Sequence, residues 1–325
     1  MLRIIFEQIL TSIQVIQRCM WHGLLRISAV GMFGAVLGAA LGAALGAALL
    51  SPSSAMAGEG SFGWLYTLDL QPTGTLEFEQ KLQLNRAQAR GRYDLWQART
   101  ELEYGVSEDF QIAGYLNTSR VSADQNYPDG STAGWLVPGS AGNSAYARSR
   151  VDGVSVEGIW RFTNPVLQPL GTGLYLEATT GPVKDELEAR LLLQSNFLDD
   201  RLVLASNLHL AVEKVKFDPA ITGQESMADL LLGISYRIAN RWTAGVEARF
   251  HHDFDGYRFN RKTQRAQFFG PNVHYATRDW WVTAAWRYQP KGGVCWEPGA
   301  SECSDGRVWD SHSKNEFIFK FGKPL

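Results

Sequence analysis

The chain lacks most of what announces a helical membrane protein, a nucleotide-binding enzyme or a nucleic-acid binder. Only one apolar run in its 325 residues is long enough to cross a bilayer as a helix, Ile27 to Leu50, whereas a multi-helix membrane protein shows several runs of about 20 residues. No Gly-rich phosphate loop stands at a strand–helix junction and no Gly-x-Ser-x-Gly elbow occurs, so neither signature supports phosphate-loop or hydrolase chemistry. Basic excess is missing too: 31 Lys and Arg stand against 33 Asp and Glu, with no basic run, which predicts no nucleic-acid partner. Cysteine is scarce, at three residues. Cys19 lies near the start, which leaves Cys295 and Cys303 with no competitor for a disulfide.

The apolar run is preceded by Arg26 and followed by Ser51-Pro52-Ser53-Ser54-Ala55-Met56-Ala57. Ala55-Met56-Ala57 has the small-x-small form of a signal peptidase site, so residues 1–57 read as a signal peptide cut after Ala57, with Met20 as an alternative start. Gly38, Gly42 and Gly46 keep an uncleaved anchor as the alternative, because their spacing is that of helices that pair in membranes. Removing residues 1–57 takes three arginines and one glutamate from a formal net charge of −2 and leaves −4. Export makes the Cys295–Cys303 disulfide the default for an even pair, and closing so short a loop stabilises it by roughly 2–3 kcal/mol.

What the chain does have is alternation. Leu230, Leu232, Ile234, Tyr236 and Ile238 alternate with Asp229, Leu231, Gly233, Ser235 and Arg237, and the pattern resumes as Trp242, Ala244, Val246, Ala248 and Phe250. This is a hairpin with one apolar face and a partly charged other face, which suits a lipid-facing wall around a polar interior. The unit repeats, and from Thr75 onward twelve strands are counted. One set of alternate links is short (105–109, 163–171, 197–200, 239–241, 277–279) and the other mostly longer (85–91, 121–150, 179–186, 214–227, 253–266, 290–314). Short turns belong at the periplasmic rim and long loops outside. Trp96 to Tyr104, Trp242 to Phe250 and Trp280 to Tyr288 are each eight residues apart, a spacing that spans roughly 20 Å of membrane normal and gives two aromatic girdles. The expected fold is an all-β transmembrane antiparallel barrel of 12 strands, with 14 as the alternative, over residues 74–325. Residues 58–73 are expected as a non-spanning segment at or inside the periplasmic mouth, since counting 63–70 as a strand would break the even number.

The inward rows hold Glu77, Glu79, Glu101, Glu103, Glu157, Glu177, Glu186, Glu188, Glu213, Asp229, Glu247 and Glu316 against Lys81, Arg99, Arg161, Arg190, Arg237, Arg249, Arg287 and Lys320. Acid exceeds base by four. The candidate lumen-lining residues are Arg99, Glu101, Glu103, Glu157, Arg161, Glu177, Glu188, Arg190, Asp229, Arg237, Glu247, Arg249 and Arg287. Two readings compete: a water-filled lumen with weak cation preference, or cross-strand Glu and Arg pairs that fill a narrow barrel. Arg287 has no acid on its own strand, and Glu316 on the last strand is its candidate partner. His251-His252-Asp253-Phe254-Asp255 is the one cluster resembling metal ligands, but neighbouring histidines in a strand point to opposite faces, so a polar rim is expected there and no metal or other cofactor. His209 and His274 are expected inward and hydrogen-bonded. A hydrolase needs Ser, His and an orienting group on one wall, and the outward rows offer only Ser206 and His252, so no enzyme activity is expected.

Leu102-Glu-Tyr-Gly-Val-Ser-Glu-Asp-Phe-Gln111, Gly173-Leu-Tyr-Leu-Glu177, Glu188-Ala-Arg-Leu-Leu-Leu-Gln194, Asn196-Phe-Leu-Asp-Asp-Arg-Leu202 and Gly270-Pro-Asn-Val-His-Tyr-Ala276 resemble a family of uncharacterised, porin-like bacterial outer-membrane barrel proteins. The resemblance covers most of residues 63–325 and implies location and fold, without bringing a substrate or catalytic residues. The expectations are therefore a passive channel for small polar solutes in the outer membrane or, as the alternative, a closed barrel serving structure, adhesion or assembly. The expected partners are outer-membrane lipid and the barrel assembly machinery.

Overall fold

The computed structural model describes residues 60–126, 144–218, 221–296, 303–309 and 312–325. The expected signal peptide, its cleavage point at Ala57 and Cys19 lie outside the described residues.

Twelve long strands form one closed antiparallel sheet. They are β1 (Leu76–Arg86), β2 (Arg92–Ser107), β3 (Phe110–Asp124), β4 (Tyr146–Thr163), β5 (Gly171–Thr180), β6 (Lys184–Phe197), β7 (Leu202–Asp218), β8 (Ile221–Ala239), β9 (Trp242–Asp255), β10 (Lys262–Ala276), β11 (Trp281–Tyr288) and, after three two-residue pieces, β15 (Asn315–Pro324). Successive strands pair as hairpins, and β15 closes the ring by pairing with both β11 and β1. Closure removes sheet edges, so every strand finds backbone partners on both sides without water. The three pieces, β12 (Val294–Cys295), β13 (Cys303–Ser304) and β14 (Arg307–Val308), belong to the connection between β11 and β15. There β12 adds to β10, and β13 pairs with β14.

Period-two alternation sets the two faces of this wall. On β8, Leu232, Ile234, Tyr236 and Ile238 are exposed outward, while Leu231 and Ser235 on the other face are buried. Trp96, Trp242 and Trp280 are exposed large aromatics on the outer surface, where an aromatic girdle meets the lipid headgroups. Outward apolar residues that would be a liability in water are here the face that lipid covers.

The strands run farther than the lipid-facing pattern predicts. Residues 214–227, expected as a loop, are mostly strand: β7 continues to Asp218 and β8 starts at Ile221, with Lys214 opposite Gln224 and Glu213 opposite Glu225. Links 179–186 and 253–266 shrink likewise to 181–183 and 256–261. Beyond the bilayer both faces of a strand meet water, so polar residues such as Lys214 and Gln224 carry no apolar alternation for a sequence reading to follow.

Candidate functional site in the barrel lumen

Residues 60–75 do not span the wall. They enter the barrel from the short-turn rim, arch across its interior and return to begin β1. Ser61 meets Ser235 on β8 at 2.8 Å, close to the β8–β9 turn. Trp64 reaches deepest, with its indole Nε1 donating to Gln83 at 3.0 Å and its ring 4.2 Å from the Arg287 guanidinium. The return ends at the same rim, where the Gly74 amide donates to the Gly105 carbonyl at 2.7 Å.

An arch with no strand partner leaves its backbone donors to side chains, and the wall supplies them. Glu247 accepts from the amides of Gly63, Trp64 and Leu65 at 2.6, 3.0 and 3.3 Å. Asn207 accepts from the Tyr66 amide at 2.8 Å and donates to its carbonyl at 2.9 Å, as a neighbouring strand would. Gln194 accepts from Leu68 at 2.7 Å and Gln111 from Gln71 at 2.8 Å. Buried amides must be satisfied or they cost free energy, and here six are satisfied by inward side chains of four different strands.

The wall is also shaped to the arch. A Cβ on Gly233 would lie 2.6 Å from the Phe62 ring, and one on Gly173 would lie 2.5 Å from Leu68 Cδ2. Phe62 and Leu65 pack against Ala205 and Leu231, and Leu68 packs with Ile159, Tyr175 and Leu192. These inward apolar residues interrupt the polar lumen where the arch lays its own apolar side chains. Between arch and wall a cavity of about 120 Å³ remains, bordered by Lys81, Arg99, Arg190 and Lys320.

The charged rows pair in several directions: along one strand, between strands and, for Arg287 and Glu316, straight across the ladder. Directly opposite residues are often of like sign: Glu77 with Glu103 and Glu79 with Glu101 across β1 and β2, Glu157 with Glu177 and Glu177 with Glu188 across β4, β5 and β6, and Lys81 with Arg99. Straight like-charge pairs destabilise a sheet, and long basic side chains offset this by reaching acids at other positions. Arg99 meets Glu177 at 2.6 Å, Arg190 meets Glu188 at 2.5 Å, and Arg249 meets Asp229 at 2.8 Å. Arg287 donates to Glu316, its direct opposite on β15. Glu101, Glu103, Glu157, Glu177, Asp229, Glu247 and Arg287 are buried. Arg161 lies at the short-turn rim, with Asp109 at 3.0 Å and the Leu68 carbonyl at 3.2 Å. Arg237 departs from the expected lining: it is exposed and donates to the Asp199 carbonyl at 3.0 Å, because its strand has already risen out of the interior at the β8–β9 turn.

At the opposite mouth lies the connection from β11 to β15, of which residues 289–296, 303–309 and 312–314 are described. Cys295 and Cys303 are joined there as a disulfide with a Cα–Cα distance of 5.9 Å. Val308 packs with Ala266 and Phe268 of β10, and Trp309 is buried. Gln289 ties the connection together by donating to the Val308 carbonyl at 2.9 Å, and Gln88 reaches across from the β1–β2 link to the Trp309 and His312 carbonyls at 2.9 and 3.0 Å. Sequence reasoning missed His312, because no periodicity marks which residues of this connection fold inward.

Among the described residues, two groupings bring three possible metal ligands together. Glu101, Glu103 and Glu157 offer one oxygen each within 4.8 Å, but Gln71 and Gln111 already aim amide donors at Glu103, and a cation would have to displace them. His251, Asp253 and His312 form the second grouping. His251 and Asp253 are two positions apart on β9 and share its inward face, while His252 points away. Burial, then the charges of His251 and Arg249, hold the His312 imidazole well below its usual range, so the ring is neutral. His209 bonds Asp229 at 2.8 Å and His274 bonds Thr283 at 2.7 Å. Ser206 and His252, the outward pair considered for hydrolysis, sit on β7 and β9 with β8 between them, opposite Leu232 and Ala228. That offset of four residues, about 13 Å along the strand, keeps the two apart.

Residues 54–324 match the model of a family described as a family of unknown function (DUF6662). The chain belongs to that family. No curated protein matches it. Among solved structures it is similar to an outer membrane channel from Pseudomonas putida F1, at 10% identity and a TM-score of 0.53 over 78% of this chain and 96% of that one. It is also similar to the beta domain of the Bordetella autotransporter Brka, at 11% identity and 0.46 over 77% and 99%, and to the NanC porin, at 12% and 0.43 over 77% and 100%. The first likeness shows the fold, that of an outer-membrane β-barrel, and the other two add nothing to it.

Proposed function

We propose that the protein is an outer-membrane barrel sealed by its own N-terminal segment, closed at rest, that serves through its surface and loops rather than as a standing passive channel. The observation that carries this is the fit of wall to arch. Gly233 and Gly173 leave space for Phe62 and Leu68, and inward Leu231, Ile159 and Leu192 would face water if the arch were absent. A lumen built to stay open has no use for such residues, since exposed apolar wall is what burial energy removes.

A second reading has a specific observation behind it. The cavity beside the arch is bordered by Lys81, Arg99, Arg190 and Lys320, so a displaced arch would uncover a charged path for small polar solutes. Recordings in planar bilayers test both. The full-length barrel should give no steady conductance, and an ohmic step from it would contradict the seal. Joining the signal peptide directly to Gly74 should give steady steps if a polar path lies behind the arch; silence from a variant that keeps heat-modifiable mobility on gels leaves the closed barrel and removes the channel. Should that variant fail to fold, Gly233→Trp in the full chain displaces Phe62 and serves the same comparison.

A further inference from the structure

We propose that His251, Asp253 and His312 form a site for a divalent transition-metal ion of the zinc class, one that pins the connection between β11 and β15 to the barrel wall. His251 Nε2 lies 2.7 Å and His312 Nε2 4.0 Å from Asp253 Oδ2, with all three ligand atoms inside 4.8 Å. Tetrahedral zinc with bonds near 2.0–2.2 Å holds its ligand atoms roughly 3.3 Å apart. The His251–Asp253 contact must therefore open and the His312–Asp253 contact close, each by less than about 1 Å, while the two imidazole nitrogens, within 4.8 Å of each other, close by at most about 1.5 Å; His312 lies on a connection rather than in the sheet.

The surroundings prepare these atoms for a metal. His312 is buried, and its Nε2 has no hydrogen-bond partner although it faces Asp253. An orphaned buried acceptor costs about 1–3 kcal/mol, and a coordinated ion would satisfy it. His251 has Asp229 Oδ1 at 2.5 Å from Nδ1. A carboxylate on that nitrogen supports a proton there, so that an ion need replace only the Nε2 proton that the ring shares with Asp253 Oδ2 at 2.7 Å, and a carboxylate so placed supports ligating histidines in metalloproteins. The Gln264 amide donates to Asp253 Oδ2 at 2.7 Å and orients the carboxylate, and an ion would share that oxygen with a single amide rather than the two that meet Glu103.

The charges permit a cation. Arg249 is 2.9 Å from His251 Nδ1, but its guanidinium is held by Asp229 at 2.8 Å, and Arg287 nearby is engaged by Glu316. Asp253 is thus the carboxylate left to offset the ion. Two imidazoles and one carboxylate are borderline ligands suited to zinc, copper or nickel rather than to calcium or magnesium, with water in the fourth position. The site does not depend on whether the arch of residues 60–75 ever leaves the lumen.

The test uses untagged, folded, full-length barrel in detergent, stripped with chelator, and titrated with Zn²⁺ by calorimetry and Co²⁺ by visible absorption. One ion per chain is expected, with Co²⁺ bands of a four- or five-coordinate nitrogen and oxygen site. His312→Ala should weaken binding at least about 10-fold and Asp229→Asn about 10- to 100-fold, on the scale of outer-shell partners, while His252→Ala, on the lipid face, leaves it unchanged. Heat-modifiable mobility checks that each variant is folded, and Asp253→Asn replaces any that is not. Absence of stoichiometric Zn²⁺ binding, or equal binding by the parent and by folded His312→Ala or Asp253→Asn, overturns the proposal.

Discussion

Glu247 is one carboxylate on which the amides of Gly63, Trp64 and Leu65 converge. Three buried donors meeting one acceptor make it the residue whose loss should cost the arch most. Glu247→Ala leaves all three unsatisfied at about 1–3 kcal/mol each, so the arch should unseat by about 3 kcal/mol or more while the barrel itself persists. Glu247→Gln keeps one acceptor oxygen and should cost less. Limited proteolysis of the folded barrel reads the difference: cleavage within residues 60–73 should appear in Glu247→Ala, be weaker in Glu247→Gln and be absent in the parent. Equal resistance in all three would mean that the arch is held by its apolar contacts alone. Glu247 was legible as an inward charge from its place in the alternation. What it binds was not, because a period of two says which way a side chain points and nothing of what stands opposite.

The same limit applies between strands. Alternation placed Glu77, Glu79, Glu101 and Glu103 on one face, but only the register shows that they stand acid against acid, with Lys81 and Lys320 approaching Glu79, Trp281 donating to Glu77, and Gln71 and Gln111 donating to Glu103. In the connection between β11 and β15 even the alternation stops, so His312 and Trp309 gave no sign of folding inward, although the cysteine count alone singled out Cys295 and Cys303. The disulfide closes a short loop, which on the chain-entropy estimate is worth roughly 2–3 kcal/mol. Cys295→Ser with Cys303→Ser should therefore loosen the connection without unfolding the barrel. The quenching of Trp309 fluorescence by acrylamide should rise in that variant relative to the parent, read against a Trp309→Phe background, because the ring is now 2% exposed. Unchanged quenching would show that Val308, Gln289 and Gln88 hold the connection without the covalent link.

Taken as one body, the barrel was the most legible part. Repeated outward rows such as Trp242 to Phe250, the short and long alternate links and the even count all follow from crossing lipid with strands, and lipid enforces that pattern on the sequence. Nothing enforces a pattern on a segment that lies inside the barrel, where the acceptors for its amides are inward side chains from β3, β6, β7 and β9. Residues 63–70 could be recognised as a strand-like stretch surplus to an even barrel, but the wall that receives them is visible only once Gly233, Gly173, Asn207 and Glu247 are brought around them in space. Resident occupancy of the lumen is best measured by hydrogen exchange on the folded, detergent-solubilised protein, followed by mass spectrometry of peptides covering residues 60–75. The amides of Gly63, Trp64, Leu65, Tyr66, Leu68 and Gln71 should exchange as slowly as those of β1 and β9; exchange of this stretch within seconds, at the rate of an exposed tail, would contradict the seal.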